Sequence, residues 1–412
     1  MKPGPLSIPI ASYDYDLPDT RIAQFPLDQR DRSKILVYRQ GVISQDIFSS
    51  IGKYLPENGL LIFNETRVVH ARIIFRKQSG SHIEIFCLEP GGEIKDPQLA
   101  LATRGSSEWT CLVGNSKRWK AGILVLEEMT TVGKITLKAE RVRKTTDGSI
   151  IRFSWTPEGL PFSSILDSFG KVPLPPYIQR NATEIDEDHY QTIYARNEGS
   201  VAAPTAGLHF TSTLLNKLID SGLKIINFTL HVGAGTFKPV SSEQIGDHEM
   251  HPERIYLEVE KLRELYESLD KPVILVGTTS VRLMESLYWH GVKLIKGMTT
   301  SPEADIRQWE PYEIGEAPDI SRKQALEKVI KVLEKSGRNV LAGETRLMIA
   351  PGYHFHYPDI LITNFHQPKS TLLLLIAAFI GEDWKKAYRF ALDQEFRFLS
   401  YGDSCVFHRS NG

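Results

Sequence analysis

Short runs of alternating apolar and polar residues fill the chain between residues 71 and 155. They are rich in Ile, Val, Thr and aromatic side chains, as in "HIEIFCLEP", "EWTCLVG", "KITLKAERV" and "GSIIRFSW". A period of two indicates strands with one buried face, and no helical period crosses these runs. The pattern therefore predicts an all-β module, sandwich or barrel-like, over residues 71–155.

The rest of the chain alternates between buried strands and amphipathic helices. A helix is predicted from Thr211 to Gly222, followed by strand "KIINFTLHVG", helix "VEKLRELYESLD", strand "KPVILVG" and helix "SVRLMESLYWHG". Ser321 and Gln324 form a capping box before another apolar stripe, and Asp383 is expected to cap the last helix. This order predicts a mixed α/β (α+β) main domain made of residues 1–70 and 156–412, interrupted by the barrel-like insert. Residues 297–320 read as a long loop.

Composition narrows the class of protein without naming a partner. The 412 residues are 41% hydrophobic and 24% charged with a formal net charge of -1, as in a soluble globular protein of two or three domains. The longest apolar run, 372–380, is too short to cross a bilayer, and the N-terminus does not resemble a signal peptide, so a cytoplasmic location is expected. Three scattered cysteines argue against a disulfide framework or a cysteine zinc site.

Two strand-to-helix corners carry candidate binding chemistry. "VGTTSVRLMES" ends a buried strand in Gly277 and opens a helix with three hydroxyl residues, which suits a phosphate or carboxylate. Helix capping alone is an equally good explanation of Thr278, Thr279 and Ser280, and Arg282 tips the interpretation toward an anion contact. "LITNFHQPKST" repeats the arrangement with a histidine and a lysine in its turn.

Other patterns are weaker. "VAAPTAGLHFT" sets one histidine among small residues before a helix-capping Thr. "HVGAGTF" lacks the third glycine and the helix of a dinucleotide site, and "DHEMH" has two histidines but no third metal ligand nearby. Walker A, H-E-x-x-H and G-x-S-x-G motifs are absent from the sequence.

Read in order, these motifs closely resemble one family, the S-adenosylmethionine:tRNA ribosyltransferase-isomerases of queuosine biosynthesis. The resemblance rests on segments that include "LIFNETRVVHARI", "PPYI", "GSVAAPTAGLHFT", "LHVGAGTFKPV", "VGTTSVRLMES", "PGYHF", "LITNFHQPKSTLL" and "FRFLSYGDS". It implies transfer of the ribosyl part of S-adenosylmethionine to 7-aminomethyl-7-deazaguanine at the wobble position of tRNAs with GUN anticodons. Isomerisation of that ribosyl part then gives epoxyqueuosine-tRNA, with adenine and methionine released. The fold implied is an α/β main domain with an inserted β-barrel.

Site residues follow from the motifs and the chemistry together. Histidines suit proton transfer near neutral pH, so the candidates are His209, His231 and His366, although each is equally well explained as a structural histidine. The expected substrate-binding residues are Pro204, Thr205, Gly207, Phe210, Gly233, Thr278, Thr279, Ser280, Arg282, Asn364, Phe365 and Lys369. The expected contacts to tRNA phosphates are Arg30, Arg32, Lys34 and Arg67. The sulfonium supplies its own leaving-group power, so no metal is expected, and the protein is expected to be a monomer.

Two departures and two alternatives accompany the resemblance. Residues 297–340 look like material additional to the family, and Gln367 stands where the family more often has Leu. A tRNA-binding relative without catalytic activity is the alternative in another class, although the motif residues are intact. A methyltransferase using the same donor would usually carry a glycine-rich turn near its start, which this sequence lacks.

Overall fold

The computed structural model describes residues 5–77, 80–131, 133–145, 148–231, 240 and 242–409. Within them the strands are β1 Lys34–Arg39, β2 Val42–Ile47, β3 Leu60–Asn64, β4 Thr66–Val68, β5 Arg72–Arg76, β6 His82–Pro90, β7 Ser106–Gly114, β8 Leu124–Thr130, β9 Gly133–Thr145, β10 Gly148–Thr156, β11 Gly170–Lys171, β12 Asn197–Ser200, β13 Lys224–His231, β14 Glu253–Glu258, β15 Val273–Val276, β16 Ala304–Ile306, β17 Val340–Thr345, β18 Ile360–Asn364 and β19 Ser404–His408. The α-helices are α1 Pro97–Ala102, α2 Phe162–Phe169, α3 Glu184–His189, α4 Ser212–Asp220, α5 Val259–Ser268, α6 Thr278–Ile295, α7 Glu310–Ile314, α8 Arg322–Lys335, α9 Thr371–Ile380 and α10 Asp383–Asp393. No helix in these ranges is both long enough and apolar enough to span a membrane.

The main sheet has ten described strands in the order β16-β17-β14-β13-β3-β15-β18-β19-β1-β2. Strands β13, β3, β15 and β18 run parallel, so their carboxyl ends lie along one edge. Strand β19 is antiparallel to β18 and parallel to β1, which brings the starts of β19 and β1 to the same edge. We call this the carboxyl edge, where open α/β sheets usually bind their ligands.

Helices cover both faces of the main sheet because its central strands are apolar throughout. All five residues of β3, "LLIFN", are buried, and Leu60 and Ile62 face one hydrophobic core while Leu61 and Phe63 face another. The first core is closed by α5, α6, α8, α9 and α10, and the second by α4 and a 3₁₀ helix at Phe48–Tyr54. This alternation is the expected result of side chains pointing to opposite faces of a strand.

A second sheet of seven described strands has the order β11-β5-β6-β7-β10-β9-β8 and is antiparallel throughout. It has its own apolar core, in which Phe162 of α2 packs against Trp109, Phe153 and Trp155. The two end strands, β11 and β8, are not paired with each other in the described residues, so the ladder stays open. A mixed α/β fold with more than one sheet is therefore confirmed.

Two expectations from the sequence need correction. The second sheet includes β11 and packs with α1 and α2, so it continues past residue 155 and is not made of strands alone. Helix α1 forms because Asp96 accepts a hydrogen bond from Leu99 N at 2.9 Å and Pro97 begins the first turn. The expected loop at 297–320 contains β16 and α7, because β16 pairs with β17 at the sheet edge.

Candidate active site

A cleft opens at the carboxyl edge of the main sheet. Its described walls are segment 202–206, the first turn of α6, the residues that end β3 and β18, and Tyr177 with Ser400. About 840 Å³ of empty space lies between these walls, part of it continuous with open solvent. None of the lining residues in the described part of the chain is Asp, Glu, Lys or Arg.

The N-terminus of α6 lies in the cleft wall without a side-chain cap. Gly277 occupies the cap position with φ of 90°, and its own N–H donates to Ile362 O at 2.8 Å. The first turn of a helix has N–H groups with no partner inside the helix. Because Gly277 has no side chain to cover them, the amide dipoles of this turn face the cleft beside Thr278 and Thr279. The arrangement suits a carboxylate or phosphate.

His209 lies directly behind the cleft wall, with both ring nitrogens in hydrogen bonds. Its Nδ1 is 2.8 Å from Ser33 Oγ and its Nε2 is 3.1 Å from Asn364 Nδ2. The ring is buried and packs at 4.9 Å from the ring of Phe48. Burial is the largest cause that lowers the pKa of His209 to about 3, with the positive charge of Arg397 adding to it. The imidazole is therefore neutral at physiological pH.

Two backbone carbonyls fix the direction of these hydrogen bonds. Ser33 Oγ donates to Arg30 O at 3.3 Å, so it must accept from His209 Nδ1–H. Asn364 Nδ2 donates to Asp403 O at 3.5 Å as well as to His209 Nε2. Asn364 Oδ1 is left buried with no described partner, in a residue that lines the cleft. A buried acceptor without a partner is unusual, which makes Asn364 a candidate contact for a ligand in the cleft.

Of the three candidate histidines, His366 alone lines the described cleft. Its Nε2 is 3.1 Å from Thr363 Oγ1, its backbone N–H bonds the Tyr388 hydroxyl at 3.1 Å, and its carbonyl accepts from Tyr15. Burial lowers the pKa of His366 to about 3, so this ring too is neutral. No described residue hydrogen-bonds its Nδ1.

His231 ends β13 away from these lining residues. Its Nδ1 is 3.0 Å from Thr66 Oγ1, and its ring lies so close to Gly199 that a side chain at that position would meet it. Burial lowers the pKa of His231 to about 4. Residues 232–239, which include the predicted contact Gly233, lie outside the described residues.

The chain matches known proteins along nearly its whole length. A family model described as a queuosine biosynthesis protein matches residues 10–314 and 320–407. The chain belongs to this family. A relative from Carboxydothermus hydrogenoformans, named S-adenosylmethionine:tRNA ribosyltransferase-isomerase, is 37% identical over 96% of this chain and 99% of its own length. One of the same name from Trichlorobacter lovleyi is 36% identical over 96% of this chain and 99% of its own length.

A solved structure of a similar protein also matches. It is the S-adenosylmethionine tRNA ribosyltransferase of Thermotoga maritima, 27% identical over 96% of this chain and 99% of that one, with a TM-score of 0.44. The family match corrects one expectation: residues 297–340 are not additional material, because the family model leaves out only 315–319 of them. Helix α8 in this segment packs its apolar stripe into the main core.

The cleft of this queuosine family member brings together half of the predicted substrate residues. Pro204, Thr205, Thr278, Thr279, Asn364 and Phe365 all line it. Ser280 does not, since its hydroxyl donates back to Val276 O at 2.7 Å. One face of Phe365 is stacked on Phe398 at 4.6 Å, so a stacking role for this ring stays a prediction for its other face.

Four further predicted residues are not among the lining residues, and their roles in binding stay predictions. Phe210 is completely buried with its ring 4.9 Å from those of Phe48 and Phe63, so it has no face open to a base. Gly207 is needed because a Cβ there would overlap the Tyr194 hydroxyl, and the residue does not line the described cleft. Arg282 is buried at 2.9 Å from Glu253 and donates to Leu347 O, and Lys369 forms an exposed ion pair with Asp14 at 2.7 Å.

The four predicted phosphate contacts divide into two pairs. Arg30 donates to the carbonyls of Gln191 and Asp188, and Lys34 to those of Gln394 and Glu395, so both cations hold chain segments together. Arg32 and Arg67 are exposed, with Arg32 bonded to Gln29 and Arg67 3.8 Å from Glu198. All four phosphate contacts stay predictions, and only the second pair is exposed.

Several cleft residues were missed by sequence reasoning. Asn64 spans the ends of β3 and β13 by hydrogen bonds to Leu230, and Tyr177 bonds Ser400 at 2.6 Å. Burial raises the pKa of Tyr177 to about 12, which keeps its phenol protonated. The signal was present, because Tyr177 lies in "PPYI" and Ser400 in "FRFLSYGDS", two of the motifs that carry the resemblance.

Proposed function

We propose that this chain is an S-adenosylmethionine:tRNA ribosyltransferase-isomerase. It transfers and isomerises the ribosyl moiety of S-adenosylmethionine onto 7-aminomethyl-7-deazaguanine at the tRNA wobble position, giving epoxyqueuosine-tRNA, adenine and methionine. One observation carries the proposal: segments 202–206, 277–279 and 363–367 converge on a single cleft, in a chain that matches enzymes of this name over nearly its whole length.

The methionine end of the donor lies against the start of α6 in this proposal. Its carboxylate is an anion, and the first turn of α6 presents partially positive N–H groups with Thr278 and Thr279 beside them. This assignment is preferred to the predicted contact with Arg282, which is not among the lining residues. Its Nη1 and Nε bond Glu253 and Leu347 O, and its buried Nη2 has no described partner.

His366 is the favoured proton carrier. The reaction needs a base for the carbon beside the sulfonium and an acid for the leaving adenine. A neutral imidazole accepts the first proton without any prior ionisation, and the His366 pKa of about 3 means that the buried ring is neutral before the reaction begins. Removal of the proton leaves a net-neutral ylide on the donor, in which sulfur is still a sulfonium, so the net positive charge of the donor passes to the ring.

Asn364 Oδ1 serves the acceptor amine. The aminomethyl group of the modified base must approach as an N–H donor, and Asn364 offers the cleft a buried oxygen with no described partner. A hydrogen bond there satisfies a group that is costly to leave unpaired, by about 1–3 kcal/mol. The same bond orients the nitrogen lone pair toward the donor.

The proposal includes several points of wider scope. The tRNAs have GUN anticodons, the protein works as a monomer in the cytoplasm, and the reaction uses no metal. Among the described residues no three His, Cys, Asp or Glu side chains are grouped to hold a metal ion. The second sheet with its core forms an inserted β-barrel-like domain.

The decisive assay is product release. Purified protein is incubated with S-adenosylmethionine and tRNA carrying the deazaguanine precursor, and adenine and methionine are measured by mass spectrometry. Release of both, dependent on tRNA, is expected; if adenine never appears, the proposal fails. His366→Ala is expected to abolish release while retaining tRNA binding, and His82→Ala, an exposed histidine remote from the cleft, is the matched control.

The carboxylate assignment has its own test. Binding of S-adenosylmethionine is compared by calorimetry with binding of its decarboxylated analogue. A tenfold or greater loss of affinity for the analogue is expected, since the analogue cannot make charge-assisted hydrogen bonds to the helix amides. Equal affinity for the two compounds places the carboxylate elsewhere.

A further inference from the structure

One end of the second sheet concentrates positive charge. Residues 117–145 contain eight Lys and Arg against three Glu and no Asp, whereas the whole chain has a net charge of -1. Strand register brings several of these cations together at one end of the sheet. We call this the cationic end, defined by Lys117, Arg118, Lys120, Arg143 and Lys144.

Two contacts hold the cationic end in shape. Arg141 on β9 donates to Ser116 Oγ at 3.1 Å, and its guanidinium lies 4.5 Å from the centre of the Trp119 ring. These contacts join the end of β9 to the turn after β7, which is a 3₁₀ helix at Ser116–Arg118. The surface is therefore built on paired strands and a buried tryptophan.

The five cations are exposed, and none forms an ion pair with a carboxylate of the described residues. Two carboxylates of the same sheet pair elsewhere: Glu127 with Lys134 at 2.9 Å, and Glu108 with Arg152 at 2.7 Å. A group of exposed cations without a described ion pair attracts a polyanion.

The cationic end lies far from the cleft but on a sheet that is joined to it. The chain enters the second sheet at Arg72 and leaves at Lys171, two residues that pair with each other, and Val201, next to the cleft wall, packs in its core. This root and the cationic end lie in nearly the same row of the sheet: Arg72 is opposite Phe86, Phe86 is opposite Leu112, and Ser149 lies between the neighbouring Cys111 and Lys144. Four strand spacings therefore separate β5 from β9, roughly 19 Å at about 4.8 Å per spacing. A ligand that touches both places must be long.

We propose that the cationic end binds the sugar-phosphate backbone of tRNA outside the anticodon loop while the wobble base occupies the cleft. The proposal rests on the proposed function, which supplies a polyanion that is held at one point and extends well beyond the cleft. Phosphate contacts of this kind position the nucleic acid without reading its sequence. They supply phosphate contacts besides those predicted for Arg30 and Lys34, whose side chains donate hydrogen bonds to backbone carbonyl groups.

Two double variants and a matched control test the proposal. Lys117→Ala with Arg118→Ala and Arg143→Ala with Lys144→Ala each remove two charges from the cationic end. Lys296→Ala with Lys335→Ala removes two exposed charges near the ends of α6 and α8. Affinity for full-length tRNA is measured against salt concentration, together with steady-state turnover and unfolding temperature.

Each double variant is expected to raise KM for tRNA roughly tenfold at 0.1 M salt, with kcat unchanged. The slope of log affinity against log salt falls by about one for each phosphate that the variant no longer neutralises. The affinity of each double variant for a short RNA of the anticodon-loop sequence stays as in the natural protein. The control variant keeps the natural KM, slope and affinity. Unchanged KM and slope in both double variants overturn the inference, as does an equal loss of affinity in the control.

The outcomes separate this inference from the proposed function. If the natural protein releases adenine and both double variants bind tRNA normally, the inference about the cationic end is refuted and the proposed function stands. A natural protein that neither binds tRNA nor releases adenine refutes both. Loss of affinity for vesicles of anionic lipid, with tRNA affinity intact, assigns the surface to a membrane and also refutes the inference.

Discussion

Replacing His209 by Gln and by Ala distinguishes positioning from proton transfer. In the structure His209 Nε2 accepts from Asn364 Nδ2 at 3.1 Å, and this bond holds the amide while its Oδ1 has no described partner. A glutamine side chain offers an oxygen near the position of Nε2 but cannot carry a proton between substrates. His209→Gln is therefore expected to keep most of the activity, and His209→Ala to lose most of it.

The size of the effect follows from the hydrogen bond and the packing that alanine removes. Alanine leaves Asn364 Nδ2 with only the 3.5 Å bond to Asp403 O, at a cost of about 1–3 kcal/mol for a buried donor without a good partner. The cavity beside Phe48 adds a similar amount, so the free energy of unfolding falls by about 3–5 kcal/mol. Misplacement of the amide by about 1 Å lowers kcat/KM by roughly 100-fold. Glutamine, which keeps the acceptor, lowers kcat/KM by about fivefold or less.

The assay is adenine release at saturating S-adenosylmethionine, with unfolding in urea measured on the same samples. Removing a group that transfers a proton in the reaction typically costs about 100- to 10,000-fold in rate. If His209→Gln is as inactive as His209→Ala while it is as stable as the natural protein, His209 transfers the proton itself. The positioning role is then refuted.

Three further predictions concern stability. Gly207→Ala is expected to destabilise by a few kcal/mol through overlap with the Tyr194 hydroxyl; adding Tyr194→Phe restores part of this in urea unfolding, and no restoration means that the clash lies elsewhere. Arg282→Met leaves Glu253 buried without its cation and is expected to lower the free energy of unfolding by about 3–5 kcal/mol. Adding Glu253→Gln recovers part of this loss, and affinity for the donor stays unchanged. Reduced donor affinity in a variant of full stability supports the anion contact instead. Because the pKa of His366 is lowered from 6.5 to about 3, the unfolded chain takes up its proton first, so this contribution to stability is complete above pH 6.5 and is lost as the pH falls toward 3. His366→Gln should reduce that loss by about 1.4 kcal/mol per pH unit between pH 5.5 and 4, and equal slopes contradict the burial of a neutral ring.

Local signals predicted the parts of the site that local physics determines. The corner at Gly277 needs a buried strand, a residue that tolerates positive φ and a helix, and all three are readable from eleven consecutive residues. Three of the parallel strands, β3, β13 and β18, end in polar residues at the carboxyl edge. These features required no knowledge of distant contacts.

Side-chain direction in the turns was not predictable in the same way. His209 and Phe210 follow a 3₁₀ helix at Thr205–Gly207, where no period fixes which side faces the core. Arg282 turns away from the cleft because Glu253, 29 positions earlier in the sequence, begins the strand beside it. Long-range partners of this kind decide whether a charged side chain is available to a ligand. The sequence between two such partners does not show that they will pair.

The described lining of the cleft contains no Asp, Glu, Lys or Arg, and this fits the proposed chemistry. The donor carries a permanent positive charge on sulfur, which the proposed reaction removes. A carboxylate in the wall would stabilise that charge in the bound substrate and would raise the barrier to losing it. The described lining instead offers helix amides for the donor carboxylate, a neutral His366 for the proton and the oxygen of Asn364 for an amine. Arg282 and Lys369, the charged residues expected to bind substrate, are paired with Glu253 and Asp14 and are not among the lining residues. In the proposed reaction the sulfonium would therefore meet dipoles rather than full charges in the described walls.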